Sequence, residues 1–185
     1  MNFVQTKKLN QMKKIFYLLL VLSFVFTSCK KEEGCMDTMA TNYNADAEED
    51  DGSCLFSVAG GTWTTQSIAS NGTMTVSMMG IPILDSTISY IETNADSLEP
   101  YKLKFDENNT YTEYDQSNSI VEGGTWSLSG DQLTVNSPDT SLVLTVNSVN
   151  KSDASLNIVF VESSSEDGFE YSIDLTQTIN LTREY

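Results

Sequence analysis

The sequence predicts an all-β protein: an up-and-down antiparallel β-barrel over residues 55–185, preceded by an irregular acidic segment bounded by two cysteines. Three observations carry this. After residue 55, apolar residues recur at every second position in short runs, the period of a strand with one buried face. Gly, Ser, Thr, Asn and Asp punctuate those runs, which favours tight antiparallel connections over crossovers. No stretch beyond residue 55 carries the 3.6-residue period of an amphipathic helix.

The elements follow in chain order. Tyr101, Leu103 and Phe105 alternate and run into the turn Glu107-Asn108-Asn109. Trp126 and Leu128 alternate, then Ser129-Gly130-Asp131, then Leu133 and Val135: a hairpin with matching apolar faces. Leu142, Leu144 and Val146 continue the pattern, as do Leu156, Ile158 and Phe160. The last run is the longest, with Phe169, Tyr171, Ile173, Leu175, Ile179 and Leu181 in one phase and only Gln177 interrupting it. Roughly eight to ten strands result. A meander of that size with one apolar face closes best as a barrel, because closure removes exposed edges. A β-sandwich is the alternative.

Several residues are candidates for the barrel's ends and interior. Gly60-Gly61-Thr62-Trp63 recurs as Gly123-Gly124-Thr125-Trp126. In each, glycine allows close backbone approach and the indole is large enough to plug a barrel end, so Trp63 and Trp126 read as plugs rather than ligand contacts. The run Met78-Met79-Gly80-Ile81-Pro82-Ile83-Leu84 is apolar but broken by Gly and Pro, which argues against a regular central strand. Met78, Met79 and Ile81 are candidates for an adaptable lid over a barrel mouth; a bent strand crossing the barrel floor is the other reading. Tyr90, Tyr101 and Tyr111 are candidate cavity-lining residues, although packing against neighbours is commoner.

Composition excludes much chemistry. Net charge is −16 and there is no histidine. A surface this acidic repels nucleic acid, whose binding needs Lys and Arg against phosphate. Without histidine there is no Ser-His-Asp triad, no Cys-His pair and no His-ligated zinc. The acidic pairs Asp106-Glu107 and Glu166-Asp167 fall in predicted turns, and nothing in the sequence sets two carboxylates across a cleft. The chain therefore reads as a non-enzyme.

The N-terminus reads as an address. Met12-Lys13-Lys14, a natural second start, is followed by the mostly apolar Ile15–Phe26 and by Thr27-Ser28-Cys29. That apolar run is shorter than the roughly 20 residues a membrane span needs and fits a signal peptide over residues 1–28. Phe26-Thr27-Ser28-Cys29 resembles a bacterial lipobox, with Phe26 where Leu is commonest. The resemblance implies that Cys29 receives a diacylglyceryl group and becomes the mature N-terminus, anchored to a membrane through its lipid. Lys30-Lys31-Glu32-Glu33 resembles the charged run that routes Bacteroidetes-type lipoproteins to the outer face of the outer membrane. Removal of the four lysines before Cys29 leaves six basic against 26 acidic residues, a net charge of −20.

With Cys29 consumed by lipid, Cys35 and Cys54 remain as a pair in an oxidising compartment, and a disulfide is expected. Its loop of about 20 residues corresponds to about 3 kcal/mol in the chain-entropy picture. Between the two cysteines, Asp37, Asn42, Asn44, Asp46, Asp50 and Asp51 are candidate calcium ligands. An EF-hand alignment fails, since Ala47 falls where Gly is needed and Ser53 where Glu is needed. Cys35, Asp37, Ala40, Asn42-Tyr43-Asn44, Ala47 and Asp50-Asp51-Gly52-Ser53-Cys54 resemble a short Cys-bounded repeat of bacterial surface proteins that commonly serves as a spacer.

Residues 58–183 resemble the lipocalin-like domains of Bacteroidetes lipoproteins. The resemblance rests on Gly61-Thr62-Trp63, Tyr101–Phe105 with Tyr111-Thr112-Glu113, and Gly124–Leu133. It implies a basic residue near the last strand packed over the first-strand tryptophan, a role open to Arg183 on Trp63, but carries over no ligand class. The leading expectation for the barrel is that it binds a small apolar ligand in its interior. The competing expectation is a filled barrel acting as an adhesion or assembly subunit, with a cell-surface protein or glycan as its partner.

Overall fold

The computed structural model describes residues 31–185, so the signal peptide and the lipidation at Cys29 expected from the sequence lie outside the described residues. The chain divides into two compact units, one running to Met36 and including Asn44–Ser53, the other comprising Asp37–Tyr43 and Cys54–Tyr185. Cys35 and Cys54 are disulfide-bonded. In the first unit, β1 (Glu33–Gly34) and β2 (Glu49–Asp50) form a short parallel bridge. The Asn44 N–H donates to the Cys35 carbonyl at 2.8 Å. These stretches have too few apolar residues to build a core, so local hydrogen bonds and the covalent staple hold them.

The second unit is all antiparallel β. Its strands are β3 (Gly61–Met78), β4 (Ile81–Glu92), β5 (Lys102–Phe105), β6 (Thr110–Tyr114), β7 (Ile120–Ser129), β8 (Gln132–Asn136), β9 (Ser141–Val149), β10 (Asp153–Glu166) and β11 (Phe169–Glu184). Each strand from β5 to β11 pairs with its sequence neighbour, and β11 returns to pair with β3. Eight strands, all except β4, therefore close into a barrel. The sandwich alternative does not form, because the first and last strands find each other along almost their whole length, from Thr62–Glu184 to Met78–Phe169.

β3 is long enough to use one edge twice. Its opening stretch, Gly61–Thr64, pairs with β5, and Ile68–Met78 pairs with β4. β9 pairs with β10 only over Ala154–Asn157. Above that level β10, β11, β3 and β4 leave the barrel as a four-stranded antiparallel arm. Directly opposed residues share a face, so the rows can be read off the register. Glu162–Ile173–Met74–Ser86 and Ser164–Tyr171–Val76–Leu84 continue the inward phase. Val161–Asp174–Thr73–Thr87 and Ser163–Ser172–Thr75–Asp85 continue the outward phase. One face of the arm is thus mainly apolar and the other mainly polar.

The arm ends in two tight hairpins, Met79-Gly80 and Asp167-Gly168, with positive φ at both central residues of each. Such turns match the right-handed twist of their flanking strands. Pro82 sits on β4, which is an edge strand, beside an irregularity in the β3–β4 register between Val76 and Ser77. An edge position spares it a lost ladder bond. The interrupted Met78–Leu84 run is therefore a hairpin turn and the start of an edge strand.

The core fills the lower barrel with Trp63, Leu103, Phe105, Tyr111, Trp126, Leu133, Leu144, Leu156, Ile179 and Leu181. The two Gly-Thr-Trp echoes end up at this same end. The Trp63 Nε1–H donates to the Val58 carbonyl and the Trp126 Nε1–H to the Asp106 carbonyl, each at 3.0 Å. Phe105 meets Trp126 edge-on, 5.8 Å between centroids. The Arg183 guanidinium lies 4.3 Å from the Trp63 ring centroid and donates to the Ser57 carbonyl at 2.6 Å. A partly desolvated cation–π contact of this kind contributes about 0.5–2 kcal/mol. A Cβ on Gly61 would sit 2.7 Å from Trp63 Nε1, and one on Gly124 would sit 2.0 Å from the Asn136 carbonyl oxygen. The second glycine of each echo thus lets an indole or a neighbouring strand come close.

Two outcomes follow. Gly124→Ala forces β7 away from β8 and lowers stability by roughly 1–3 kcal/mol, read from urea unfolding followed by tryptophan fluorescence. Reduction of the Cys35–Cys54 disulfide makes residues 31–54 the first site of cleavage by a Glu-specific protease, while the cooperative unfolding of the barrel persists; an unchanged cleavage pattern would contradict this.

Candidate functional site

The barrel is not filled. Above the Trp-rich floor lies a cavity of about 230 Å³ walled by Ile68, Leu103, Phe105, Tyr111, Leu133, Val135, Leu142, Leu144, Leu156, Ile158, Phe160 and Ile179, with Glu99, Pro100, Glu113 and Gln177. The inward phases of seven strands supply most of this lining, which is why it is apolar. Its polar residues are placed, not random. Gln177, the one break in the last strand's apolar phase, donates to the Oγ of Ser70 at 3.1 Å, and Ser70 is fully buried. The Thr65 hydroxyl donates to the Pro100 carbonyl at 2.6 Å, and the Thr65 N–H to the Tyr101 carbonyl at 2.9 Å. Together with buried Leu98, these bonds hold the β4–β5 connection across this end of the barrel.

The cavity shares Glu99, Pro100, Glu113 and Leu142 with a wider mouth of about 690 Å³. The mouth is lined by the β4–β5 and β6–β7 connections and carries Asp96, Glu99, Glu113, Asp115 and Glu122, with Tyr101 and Tyr114. Asp115 is committed to its own loop, accepting from the N–H groups of Ser117 and Ser119. Glu113 and Glu122 are different. They are directly opposed across β6 and β7, and Glu113 opposes Leu103 on its other side, so both lie in the inward phase. Burial, and then the charge of Glu122, raise the Glu113 pKa above the ordinary carboxylate value. Burial, followed by the charges of Glu113 and Glu122, pushes Tyr111 up to about 12, which keeps its hydroxyl protonated.

The remaining barrel residues singled out from the sequence fall as follows. Tyr111 lines the cavity and Tyr101 the mouth. Tyr90 is exposed on the arm. Met78, Met79 and Ile81 form the β3–β4 hairpin at the arm's end and are not among the residues lining the cavity or its mouth. Trp63, Trp126 and Arg183 form the floor. Glu113 and Glu122 went unremarked as a pair in the sequence, yet a signal was there: Glu113 is in phase with Tyr111, and Glu122 with Gly124 and Trp126.

In the acidic segment five of the six candidate calcium ligands serve as local caps, and the sixth, Asp46, is exposed. Asp37 accepts from the Met39 N–H, Asn42 from the Leu55 N–H, Asn44 from the Asp46 N–H, Asp50 from the Gly52 N–H and Asp51 from the Ser53 N–H, all at 2.7–3.1 Å. Asp37 also pairs with Lys151 at 2.8 Å. Among the described residues no group of three or more Asp, Glu, Cys or His side chains is gathered to hold a metal ion.

A closed antiparallel barrel with an apolar interior open at one end is the architecture of a ligand-enclosing calyx. The sequence agrees: residues 60–158, just over half of the chain, match the family described as the lipocalin-like domain, and the protein belongs to that family. No curated protein and no solved structure matches the chain. The family match ends at Ile158, where β10 enters the arm, so β11 and Arg183 lie beyond it.

The raised Glu113 pKa has a stability consequence with a definite sign. Between its unfolded and folded values the folded state binds more protons, so stability falls as pH rises through that window and the penalty is complete only above the folded value. Glu113→Gln therefore raises the urea midpoint at pH 7, and the gain disappears at about pH 4, below the ordinary carboxylate value. An equal gain at both pH values would show that the charge is not its source.

Proposed function

We propose that this lipocalin-like protein is a lipid-anchored lipoprotein of the outer membrane, facing the cell surface, whose barrel carries a small apolar ligand. The observation that carries the reading is the apolar cavity, open at one end and walled by strand positions that would otherwise be packed solid. A pocket with a mainly apolar lining and a few placed polar groups is the usual form of a small-molecule site. The lipid on Cys29 would supply the membrane attachment, and the stapled acidic segment a solvated spacer between lipid and barrel. The test is native mass spectrometry of the protein purified from its host: a reproducible non-covalent adduct is expected. Ile158→Trp, which puts an indole into the cavity, should reduce occupancy at least tenfold with far-ultraviolet circular dichroism and the cooperative urea transition preserved. An adduct that survives this substitution, or no adduct in the wild type, overturns the carrier reading. For the anchor, Cys29→Ala should release the protein from the membrane fraction.

A second reading, assembly with a surface protein, is favoured by the arm. Its apolar face carries Met74, Val76, Leu84, Ile88, Tyr171, Ile173 and Leu175, none of them fully buried. In that reading Ile173→Lys abolishes association measured by sedimentation without changing ligand occupancy.

A further inference from the structure

The charge around the cavity narrows what it would take. Glu99 and Glu113 line both the cavity and its mouth, and Glu122 stands opposite Glu113. No Lys or Arg lines either space. The basic side chains of the described residues are engaged elsewhere. Lys31 pairs with Glu49, Lys102 with Glu184, Lys104 with Asp106 and Lys151 with Asp37, while Arg183 lies over Trp63 in the floor. Lys102 and Lys104 alternate with the inward-facing Leu103 and Phe105, so the strand period itself points them out of the barrel.

A carboxylate ligand entering this mouth would meet only like charge across low-dielectric walls, which focus the field. The Glu113 side chain, moreover, makes no hydrogen bond or ion pair with another described residue, although it is half-buried and stands where the apolar cavity meets its mouth. A half-buried carboxylate in that position is a ready acceptor for a donor brought by a ligand. An ammonium group there would gain charge-assisted hydrogen bonds and relieve the repulsion between Glu113 and Glu122, while the apolar body fills the space below.

We propose that the barrel selects a cationic amphiphile, an amine-bearing apolar molecule whose ammonium group sits between Glu113, Glu122 and Glu99 and whose hydrocarbon part occupies the cavity. This rests on the reading of the barrel as a carrier, and the experiment separates the two.

The full chain, stripped of bound material, is titrated at pH 7 with three probes of equal chain length: n-decylamine, 1-decanol and decanoate, each below its aggregation concentration. Decylamine should bind at least tenfold more tightly than decanol, and decanoate most weakly. In the double variant Glu113→Gln, Glu122→Gln the ratio of decylamine to decanol affinity should fall toward one, with folding confirmed by near-ultraviolet circular dichroism. Glu170→Gln, a charge removed from the arm's polar face, should leave that ratio unchanged. Equal binding of the three probes, or tighter binding of decanoate, overturns the charge selection and leaves the carrier reading standing. Failure of all three probes to bind overturns both. A ratio that falls equally in the Glu170→Gln control assigns the preference to net charge and overturns the site.

Discussion

The pairing of β3 with β11 is the constraint on which the rest of the molecule depends. It joins residues more than a hundred positions apart, as in the Trp63–Arg183 and Thr65–Leu181 pairs. Contacts at that separation carry the largest loop-closure cost and reward the chain last. The return is a sheet with no open edge at the level of the core. The same ladder then continues past the barrel rim, so one continuous pairing supplies both the closure below and the arm above.

Both ends of the barrel depend on this closure, and they are built differently. At the floor, closure brings Arg183 over Trp63 and lets two indoles satisfy their N–H groups on backbone carbonyls. A buried indole without such a partner would cost about 1–3 kcal/mol. At the mouth the inward phase switches from Leu and Phe to Glu113 and Glu122. That switch replaces packing with unspent hydrogen-bonding capacity, and it leaves the cavity beneath open. A solid floor and a polar, unfilled mouth are what a carrier requires: one end that excludes water and one that can exchange its contents.

The acidic character of the chain acts differently in different places. In the stapled segment the carboxylate and amide oxygens cap turns, with Asp51 held below the usual carboxylate range by its hydrogen bonds to Ser53. On the barrel exterior the few lysines each find an acid. At the mouth Glu113 and Glu122 are opposed with no Lys or Arg lining the space, and there Glu113 is raised where Asp51 is lowered. A count of acids in the sequence could not separate these uses, because the sign of a pKa shift depends on burial and neighbours and not on abundance.

Much of the barrel was legible in the sequence. The Trp126–Leu128 and Leu133–Val135 runs pair as the alternation requires, and the odd-numbered phase of the last strand faces inward from Gln177 to Arg183. The cysteine arithmetic led to the Cys35–Cys54 bridge. What stayed hidden was where each inward phase would lie. Leu175 and Ile179 read identically as apolar residues of one strand, yet Ile179 lines the cavity and Leu175 lies on the arm. Met78, Met79 and Ile81, for which the sequence left a lid and a bent strand across the barrel floor both open, form a hairpin at the arm's end. Strand alternation is a local, two-residue period, so the sequence alone determined which face of each strand is apolar. Which part of that face encloses a cavity, and which is left uncovered, was decided only by tertiary structure, because it depends on how far each strand outruns its neighbours.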